Sequence, residues 1–291
     1  MNTDGGNVQQ LTDNPHFPIL DAKWSPDGSK IAVVSLIGDS LTYPSFRRVI
    51  FVMNADGSHR YQLTPQWFDM VDSTQGKVEY GGAFGMNPVW SPDSRQIAYN
   101  RLMVPEAWGN WDIFLINING TDERRITGTI NLTEGVTGWS NDGSALWGGI
   151  DGYPATDSTG QAIPYEKMAL FNLQGKILKS WGNPGESWEV PIPSHDGNNI
   201  VFVFVNKDQL HDVYMINSDG SGLSRLTNGL CQYPQPVAWS SDDSRILLSC
   251  SQFNNENRLA YRILLINSDG TNPTDITPFA GVYLKAISWR R

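Results

Sequence analysis

Cysteine, histidine and charged residues are all scarce in this chain of 291 residues. It contains two cysteines, Cys231 and Cys250, which are too few for a disulfide framework. Only 18% of the residues are charged, and 21 basic against 30 acidic side chains leave a formal net charge of −9. A nucleic-acid-binding protein needs a basic patch for the phosphates, so we expect no nucleic-acid partner. No run approaches the roughly 18 apolar residues of a membrane helix, so we expect no membrane span.

Motifs for metal binding, catalysis and export are also missing. The four histidines include no two with the spacing of zinc ligands, so we expect no metal site. No Gly-x-Ser-x-Gly elbow or other strong catalytic motif occurs. We therefore expect a protein that is not an enzyme and has neither catalytic residues nor a cofactor. Residues 1–6 lack the basic and apolar regions of a signal peptide.

Glycine (28 residues) and proline (17 residues) are plentiful, and they recur in a turn motif. In the segment Trp-Ser-Pro-Asp-Gly, the Pro, Asp and Gly residues favour a tight turn. Its copies begin at Trp24, Trp90, Trp139, Pro193 (where the Trp is lost) and Trp239, and Trp289 marks a last Trp position. We interpret the repeated tryptophans as packing between repeats and not as ligand platforms.

A second motif is Asn-x-x-Gly, with a Leu/Ile-Thr pair nine residues after the asparagine. It begins at Asn2, Asn54, Asn117, Asn217 and Asn267, and the copy at Asn172 ends in Trp181-Gly182 instead. Between the two motifs lie continuously apolar runs such as Val49–Met53, which predict strands buried on both faces. Four antiparallel strands in each repeat of about 40–50 residues predict a β-propeller.

The repeats predict an all-β fold, a six-bladed β-propeller of four-stranded antiparallel blades, in one domain spanning residues 1–291. Complete blades are expected at about residues 17–64, 86–127, 135–181, 188–227 and 235–277. The sixth blade would be split between the termini, with an outer hairpin at 1–12 and a closing strand at 283–289. It would be incomplete, because residues for its second strand and most of its third are lacking. A degenerate blade and a chain cut from a longer protein both fit these ends.

The motifs also resemble a known family. Trp24–Ala32, then Met53–Gly57 and Leu63–Thr64, resemble the TolB-type β-propeller repeat, and the resemblance covers essentially the whole chain. The same repeat is similar to those of tricorn-like and prolyl-oligopeptidase-family propellers. The resemblance implies a WD40-like, non-catalytic scaffold that binds a protein or peptide in an extracytoplasmic (periplasmic or secreted) compartment. The chain differs from TolB in lacking an α/β domain before the first blade, and from the peptidases in lacking a hydrolase domain.

A binding site is expected on the propeller face that carries the long connections, because the opposite face has only short repeated turns. The longest connections are Leu36–Arg48, Pro65–Met86, Arg101–Asn110 and Gly149–Lys167, in which aromatic side chains lie beside carboxylates. The candidate partner-binding residues are Trp67, Phe68, Asp69, Asp72, Tyr80, Trp108, Trp111, Tyr153 and Tyr165.

Several interpretations of this set remain open. It suits a peptide with basic and apolar side chains, or a glycan that stacks on the aromatic rings. The aromatics could instead form a small core within the loops. Asp69 and Asp72 could serve a glycosidase, whose chemistry depends on a carboxylate separation that the sequence does not give. The functions left open are thus a peptide-binding scaffold, a glycan-binding or glycan-cleaving propeller, and a structural module of a longer chain.

The two cysteines lie at neighbouring positions in the predicted fold. Hairpin pairing about the turn at 240–244 places Cys250 opposite Pro234 or Gln235, three or four residues from Cys231. A curl of the loop could bring the two Cα atoms into the bonding range of about 4.4–6.8 Å. A disulfide and two buried free thiols are the alternatives.

Overall fold

The computed structural model describes residues 10–12, 18–37, 47–64, 85–102, 111–129, 132–156, 162–182, 186–206, 210–253 and 259–277. These residues form five four-stranded antiparallel sheets, and the strands of each sheet follow one another in chain order. Each sheet is one blade of an all-β propeller, numbered here from 1 to 5 along the chain. In this part of the chain no helix has the length and apolar character needed to cross a membrane.

The strands of each blade run from the innermost to the outermost. Blade 1 contains β1 (Ile19–Trp24), β2 (Lys30–Ile37), β3 (Arg47–Asn54) and β4 (Tyr61–Gln62). Blade 2 contains β5 (Gly85–Trp90), β6 (Gln96–Leu102), β7 (Trp111–Asn117) and β8 (Arg124–Arg125). Blade 3 contains β9 (Leu132–Trp139), β10 (Ala145–Thr156), β11 (Ala162–Asn172) and β12 (Ile177–Trp181). Blade 4 contains β13 (Ser187–Pro193), β14 (Asn199–Val205), β15 (His211–Asn217) and β16 (Ser224–Arg225). Blade 5 contains β17 (Tyr233–Trp239), β18 (Arg245–Phe253), β19 (Leu259–Asn267) and β20 (Thr274–Asp275).

The prediction of six blades is wrong, because the described residues build five. The sixth blade was inferred from repeat positions in segments 1–12 and 283–289, which together hold too few residues for four strands. Of these residues the structure describes only 10–12, and they form no strand. Leu11 packs against blade 1, where a Cβ added to Gly57 would be 2.5 Å from the Leu11 carbonyl oxygen. The carbonyl oxygen of Leu226 in blade 4 approaches Gly270 of blade 5 in the same way, so Leu11 meets the following blade as the other copies of the Leu/Ile-Thr pair do.

The Ser-Pro-Asp-Gly segments form the turns between the first and second strands. In the first copy, Ser25 Oγ donates to Asp27 at 2.6 Å and accepts from the backbone N–H of Lys30 at 2.9 Å. Gly28 has φ 67°, a left-handed conformation that glycine adopts without strain. Each of the other four copies repeats the bond from serine to aspartate at 2.6–2.7 Å. The motif therefore forms a tight turn, as the sequence predicts.

The Leu/Ile-Thr pair explains why most outer strands are only two residues long. Thr64 Oγ1 accepts the backbone N–H of Ile50 at 3.0 Å, so a side chain replaces the next bond of the strand ladder. The same bond joins threonine to the third strand in blades 2, 4 and 5. The preceding Leu63 is buried in the cluster between blades 1 and 2. The pair thus closes the outer edge of a blade and anchors it to the next.

The repeated tryptophans join neighbouring blades, as predicted. The indole N–H of Trp90 donates to the carbonyl of Lys23 in blade 1 at 2.9 Å, and Trp139 donates likewise to Val89 in blade 2 at 3.1 Å. Trp239 in blade 5 makes the equivalent bond to Ile192 at 3.0 Å. Each of these three rings is buried among apolar side chains of the adjoining blades.

Candidate functional site

The two faces of the propeller differ in character. The short-turn face carries the turns that follow the first and third strands, such as 25–29 and 54–58. The aspartates of these turns accept hydrogen bonds from residues of the same turn. Hydrogen bonds from Ser140, first of all, and from Ser144 hold the pKa of Asp142 at about 2. The opposite face, called here the long-connection face, carries the connections between second and third strands and between blades.

Most of the predicted partner-binding residues lie outside the described part of the chain: Trp67, Phe68, Asp69, Asp72, Tyr80 and Trp108. Trp111 is the half-buried first residue of β7, paired with Leu102. Tyr153 and Tyr165 belong to strands β10 and β11, where the backbone of Tyr165 pairs with Gly152.

The interpretation of Gly149–Lys167 as a loop is wrong for most of its length. Strands β10 and β11 pair from Ala145 opposite Asn172 as far as Thr156 opposite Ala162. Blade 3 is therefore extended on the long-connection face by a paired hairpin. Register shifts between Gly152 and Ala155 interrupt the regular alternation of residues that would have indicated a strand in the sequence.

Carboxylates crowd together at the base of this hairpin, where blade 3 meets blade 4. Asp151 lies directly opposite Glu166, and Ser187 of blade 4 donates its hydroxyl to Glu166. Ser187 Oγ also lies 2.6 Å from Glu189 Oε1. Desolvation, and then the charge of Glu166, raise the pKa of Asp151. We call Asp151, Glu166 and Glu189 the acidic cluster.

Apolar side chains are exposed on the same face at blades 4 and 5. Leu210 precedes β15 with 59% of its surface exposed, and Phe253 ends β18 with 49% exposed. On the same face, the rings of His211 in blade 4 and Tyr233 in blade 5 lie with their centroids 5.2 Å apart. We call these four residues the apolar surface.

A disulfide is buried next to the apolar surface. Cys231 and Cys250 are bonded, with their Cα atoms 5.9 Å apart, and both are buried. Cys250 lies opposite Pro234 in the register of β17 and β18, as predicted. The bond fixes the residues just before Tyr233, where the Gln232 side chain accepts the backbone N–H of Phe253 at 3.3 Å.

A buried pair of carboxylates lies between blades 2 and 3. Asp112 of β7 is fully buried and lies 2.6 Å from the guanidinium of Arg125. Glu134 of β9 is 2% exposed, and burial, followed by the charge of Asp112, raises its pKa to about 7. Asn100 of blade 2 accepts the backbone N–H of Val136 at 2.7 Å close by. Among the described residues, no group of three or more His, Cys, Asp or Glu side chains is arranged to hold a metal ion.

Two cavities lie on the propeller axis, between the innermost strands of the five blades. The cavity nearer the short turns has a volume of about 190 Å³, and its neighbour has about 250 Å³. Polar side chains in their walls include Asp21, Lys23, Thr137, His195 and Gln235. We call the two cavities together the axial channel.

Sequence reasoning missed the apolar surface, the axial channel and Glu189 of the acidic cluster. It searched the long connections, which include Asp151 and Glu166, whereas the missed residues lie at the ends of strands and in the innermost strand of each blade. The signal available for the channel was a polar side chain within an innermost strand, as with Lys23 one residue before Trp24. The contact of His211 with Tyr233 gave no such signal, because it depends on how two blades pack.

No protein-family model matches the chain, and no curated protein matches it by sequence. TolB from Acinetobacter baumannii superposes with a TM-score of 0.65 and 18% identity, over 94% of this chain and 57% of that one. A TolB structure from Agrobacterium tumefaciens gives the same score and identity over 91% of this chain and 82% of that one. An oligogalacturonate lyase in complex with manganese gives 0.58 and 13%, over 87% and 66%.

These comparisons show the fold, which is an all-β propeller of the TolB type, and they confirm the resemblance at that level. The chain spans 57% of the length of the Acinetobacter baumannii protein. Because the similar structures include an enzyme, the fold alone does not assign or exclude catalysis.

Proposed function

We propose that this propeller is a non-catalytic scaffold that binds a protein or peptide on its long-connection face. The partner would present apolar side chains to the apolar surface and basic side chains to the acidic cluster. The observation that carries the proposal is that one face holds both the exposed Leu210 and Phe253 and the crowded carboxylates of Asp151 and Glu166.

The charge of the acidic cluster favours a basic partner. Burial and the charge of Glu166 disfavour the ionisation of Asp151, and an approaching lysine or arginine side chain would stabilise its charged form. Such attraction steers association and weakens as salt screens it. An anionic partner would meet repulsion at the same place.

The apolar surface would supply the binding energy that does not depend on salt. Removal of apolar surface from water contributes about 25 cal/mol per Å², from which the entropic costs of association are subtracted. The disulfide at Cys231 and Cys250 keeps this region ordered before a partner arrives, so that less entropy is lost on binding. A disulfide also favours an extracytoplasmic compartment, which we propose as the location of the protein.

The predicted aromatics Trp67, Tyr80, Trp108 and Tyr153 belong to the same proposal as further anchors. Alanine at these positions should weaken partner binding more than it lowers the melting temperature. If the substitutions lower the melting temperature by several degrees and leave binding intact, the aromatics are loop core.

A displayed library of random peptides, selected on the immobilised protein, tests the function. We expect enriched sequences to combine basic and apolar residues, with affinity that falls as salt rises. Leu210→Ser should abolish the selected binding. Leu223→Ser is the matched control, because Leu223 is a leucine with 50% exposure in the turn between β15 and β16 on the opposite face.

The outcomes separate this function from its alternatives. Selected peptides that bind Leu210→Ser and Leu223→Ser equally well would contradict binding on the long-connection face. Replacement of Asp151 by Asn should reduce the salt dependence of binding. A library that yields no peptide, together with a positive glycan array, would replace the proposal by glycan binding.

A further inference from the structure

The axial channel has charges of its own, separate from the acidic cluster and the apolar surface. Its two cavities share wall residues, including Lys23 and Thr137, so they lie next to each other along the axis. Taken together, their volumes fall within the range of about 300–1,000 Å³ typical of small-molecule sites. The channel could therefore hold a ligand of about the size of a short peptide.

The end of the channel nearer the short turns is basic. Among the described residues that line this cavity, Lys23 and His195 can carry positive charge and none carries a carboxylate. This is notable in a protein whose net charge is −9. Asp21 lines only the neighbouring cavity, on the side away from the short turns. Lys23 lines both cavities, so the end nearer the short turns differs from the other in having His195 and in lacking Asp21.

His195 is held in place by the next blade. Its Nδ1 lies 2.7 Å from the carboxylate of Asp243, which also accepts the backbone N–H of His195 and of Asp196, both at 2.9 Å. Asp243 occupies the left-handed turn position that glycine holds in blade 1, with φ 55°. The contact leaves Nε2 as the ring nitrogen that Asp243 does not engage.

The neighbouring cavity carries hydrogen-bonding groups and an irregular wall. Asn87, Gln235 and Thr137 line it, and the Thr137 hydroxyl, which donates to the carbonyl of Pro191, keeps its oxygen as an acceptor. Val190 and Asn87, which both line it, have φ 51° and φ 53° and lie at the register shifts of β13 and β5. These irregularities bend the innermost strands of blades 2 and 4 at the cavity wall.

We propose that the axial channel binds a small organic carboxylate, namely the carboxyl-terminal residues of a short peptide or an N-acyl amino acid. The carboxylate lies at Lys23 and His195, and the amide groups that precede it lie among Thr137, Asn87 and Gln235. Asp21 fixes this orientation, because the reverse placement would bring two carboxylates together.

The cavity supplies its own reporter, since Trp24, Trp90 and Trp239 line it and the Trp90 indole donates to the Lys23 carbonyl. The probes are N-acetylglycylalanine with a free carboxylate and the same compound as its carboxamide. Titration of each is followed by tryptophan fluorescence and by calorimetry. We expect the carboxylate to bind the unmodified protein at least about tenfold more tightly than the carboxamide, as for a charge-assisted hydrogen bond.

Two substitutions of Lys23 locate the site. Lys23→Met should reduce the preference for the carboxylate to less than about twofold, and Lys23→Arg should keep it. The matched control is Lys176→Met, which removes the same charge from an exposed turn between β11 and β12. Melting temperatures of all three variants establish that they are folded.

Three results would overturn the proposal. One is the absence of saturable binding of the carboxylate probe to the unmodified protein, and another is equal binding of the carboxylate and the carboxamide. The third is a folded Lys23→Met protein that keeps the full preference. None of these results bears on the peptide partner of the long-connection face, because Leu210 and Phe253 line neither cavity.

Discussion

Replacement of Glu134 by glutamine should remove much of the loss of stability that we expect between about pH 4.5 and 7. Glu134 lies between blades 2 and 3 with 2% of its surface exposed. Its Oε2 atom has no hydrogen-bond partner among the described residues. The ionised form is therefore poorly solvated, and burial raises the pKa from the ordinary 4.5 to about 7. A hydrogen bond from Thr129 opposes this rise, the nearby charge of Asp112 adds to it, and the charge of Arg125 opposes it.

The sign of the effect follows from proton binding. Between about pH 4.5 and 7 the folded protein holds a proton on Glu134 that the unfolded chain has released. Stability therefore falls as the pH rises through this window. The full difference corresponds to about 3 kcal/mol, at about 1.4 kcal/mol for each pKa unit. Glutamine has the same shape and no charge, so the variant should gain about 3 kcal/mol relative to the unmodified protein between pH 4.5 and pH 8.

Urea unfolding followed by tryptophan fluorescence, at several pH values across this range, measures the effect. Asp56→Asn is a suitable control. A hydrogen bond from Ser58 lowers the pKa of Asp56, so its titration lies below the window and the control should follow the unmodified protein. If the curves of stability against pH for Glu134→Gln and the unmodified protein run parallel from pH 4.5 to 8, burial does not raise the pKa of Glu134 and the prediction is wrong.

Two further predictions concern packing and covalent structure. A Cβ on Gly148 would lie 1.9 Å from the carbonyl oxygen of Gly135, so Gly148→Ala should destabilise the protein by about 3 kcal/mol or more. At Gly149 the nearest contact of an added Cβ is at 3.8 Å, so Gly149→Ala should cost less than about 1 kcal/mol. Urea unfolding of both variants measures the difference. Equal effects would contradict the close approach. Joint replacement of Cys231 and Cys250 by alanine should lower stability by about 3 kcal/mol, because the bond closes a loop across 19 residues. Thiol titration under denaturing, non-reducing conditions should find no free thiol, and two reactive thiols would rule the bond out.

Local turn chemistry accounts for most of what the sequence could predict about the fold. Ser25, Asp27 and Gly28 lie within one turn, so the residue types and their spacing are enough to predict that turn. The same holds for Thr64, which bonds to a strand of its own blade. The number of blades could not be predicted in this way. The Leu11-Thr12 pair matches the motif, and Leu11 contacts the Gly57 turn as Leu226 contacts the Gly270 turn, yet the described residues 10–12 form no strand.

The candidate sites were harder to predict because they join residues from different blades. Asp112 and Glu134 approach each other only when blade 3 packs against blade 2. Lys23 and His195 share a cavity although they belong to blades 1 and 4. Hydrophobic periodicity gives no information on such pairs, because it reports the burial of each strand and not its neighbours.

One signal in the repeats could nevertheless have identified several charged residues. In three blades, an ion pair joins the residue just before the apolar run of the third strand to a residue of the fourth. The sequence separation is 13 residues in each case, in the pairs Asp112–Arg125, Asp212–Arg225 and Arg262–Asp275. The charges are reversed in blade 5, so a search for a fixed residue type would miss the pattern, whereas a search for opposite charges at a fixed spacing would find it. Among the described residues, only the pair in blade 2 is approached by a second buried carboxylate, Glu134, so the raised pKa of Glu134 arises where the repeated arrangement is broken.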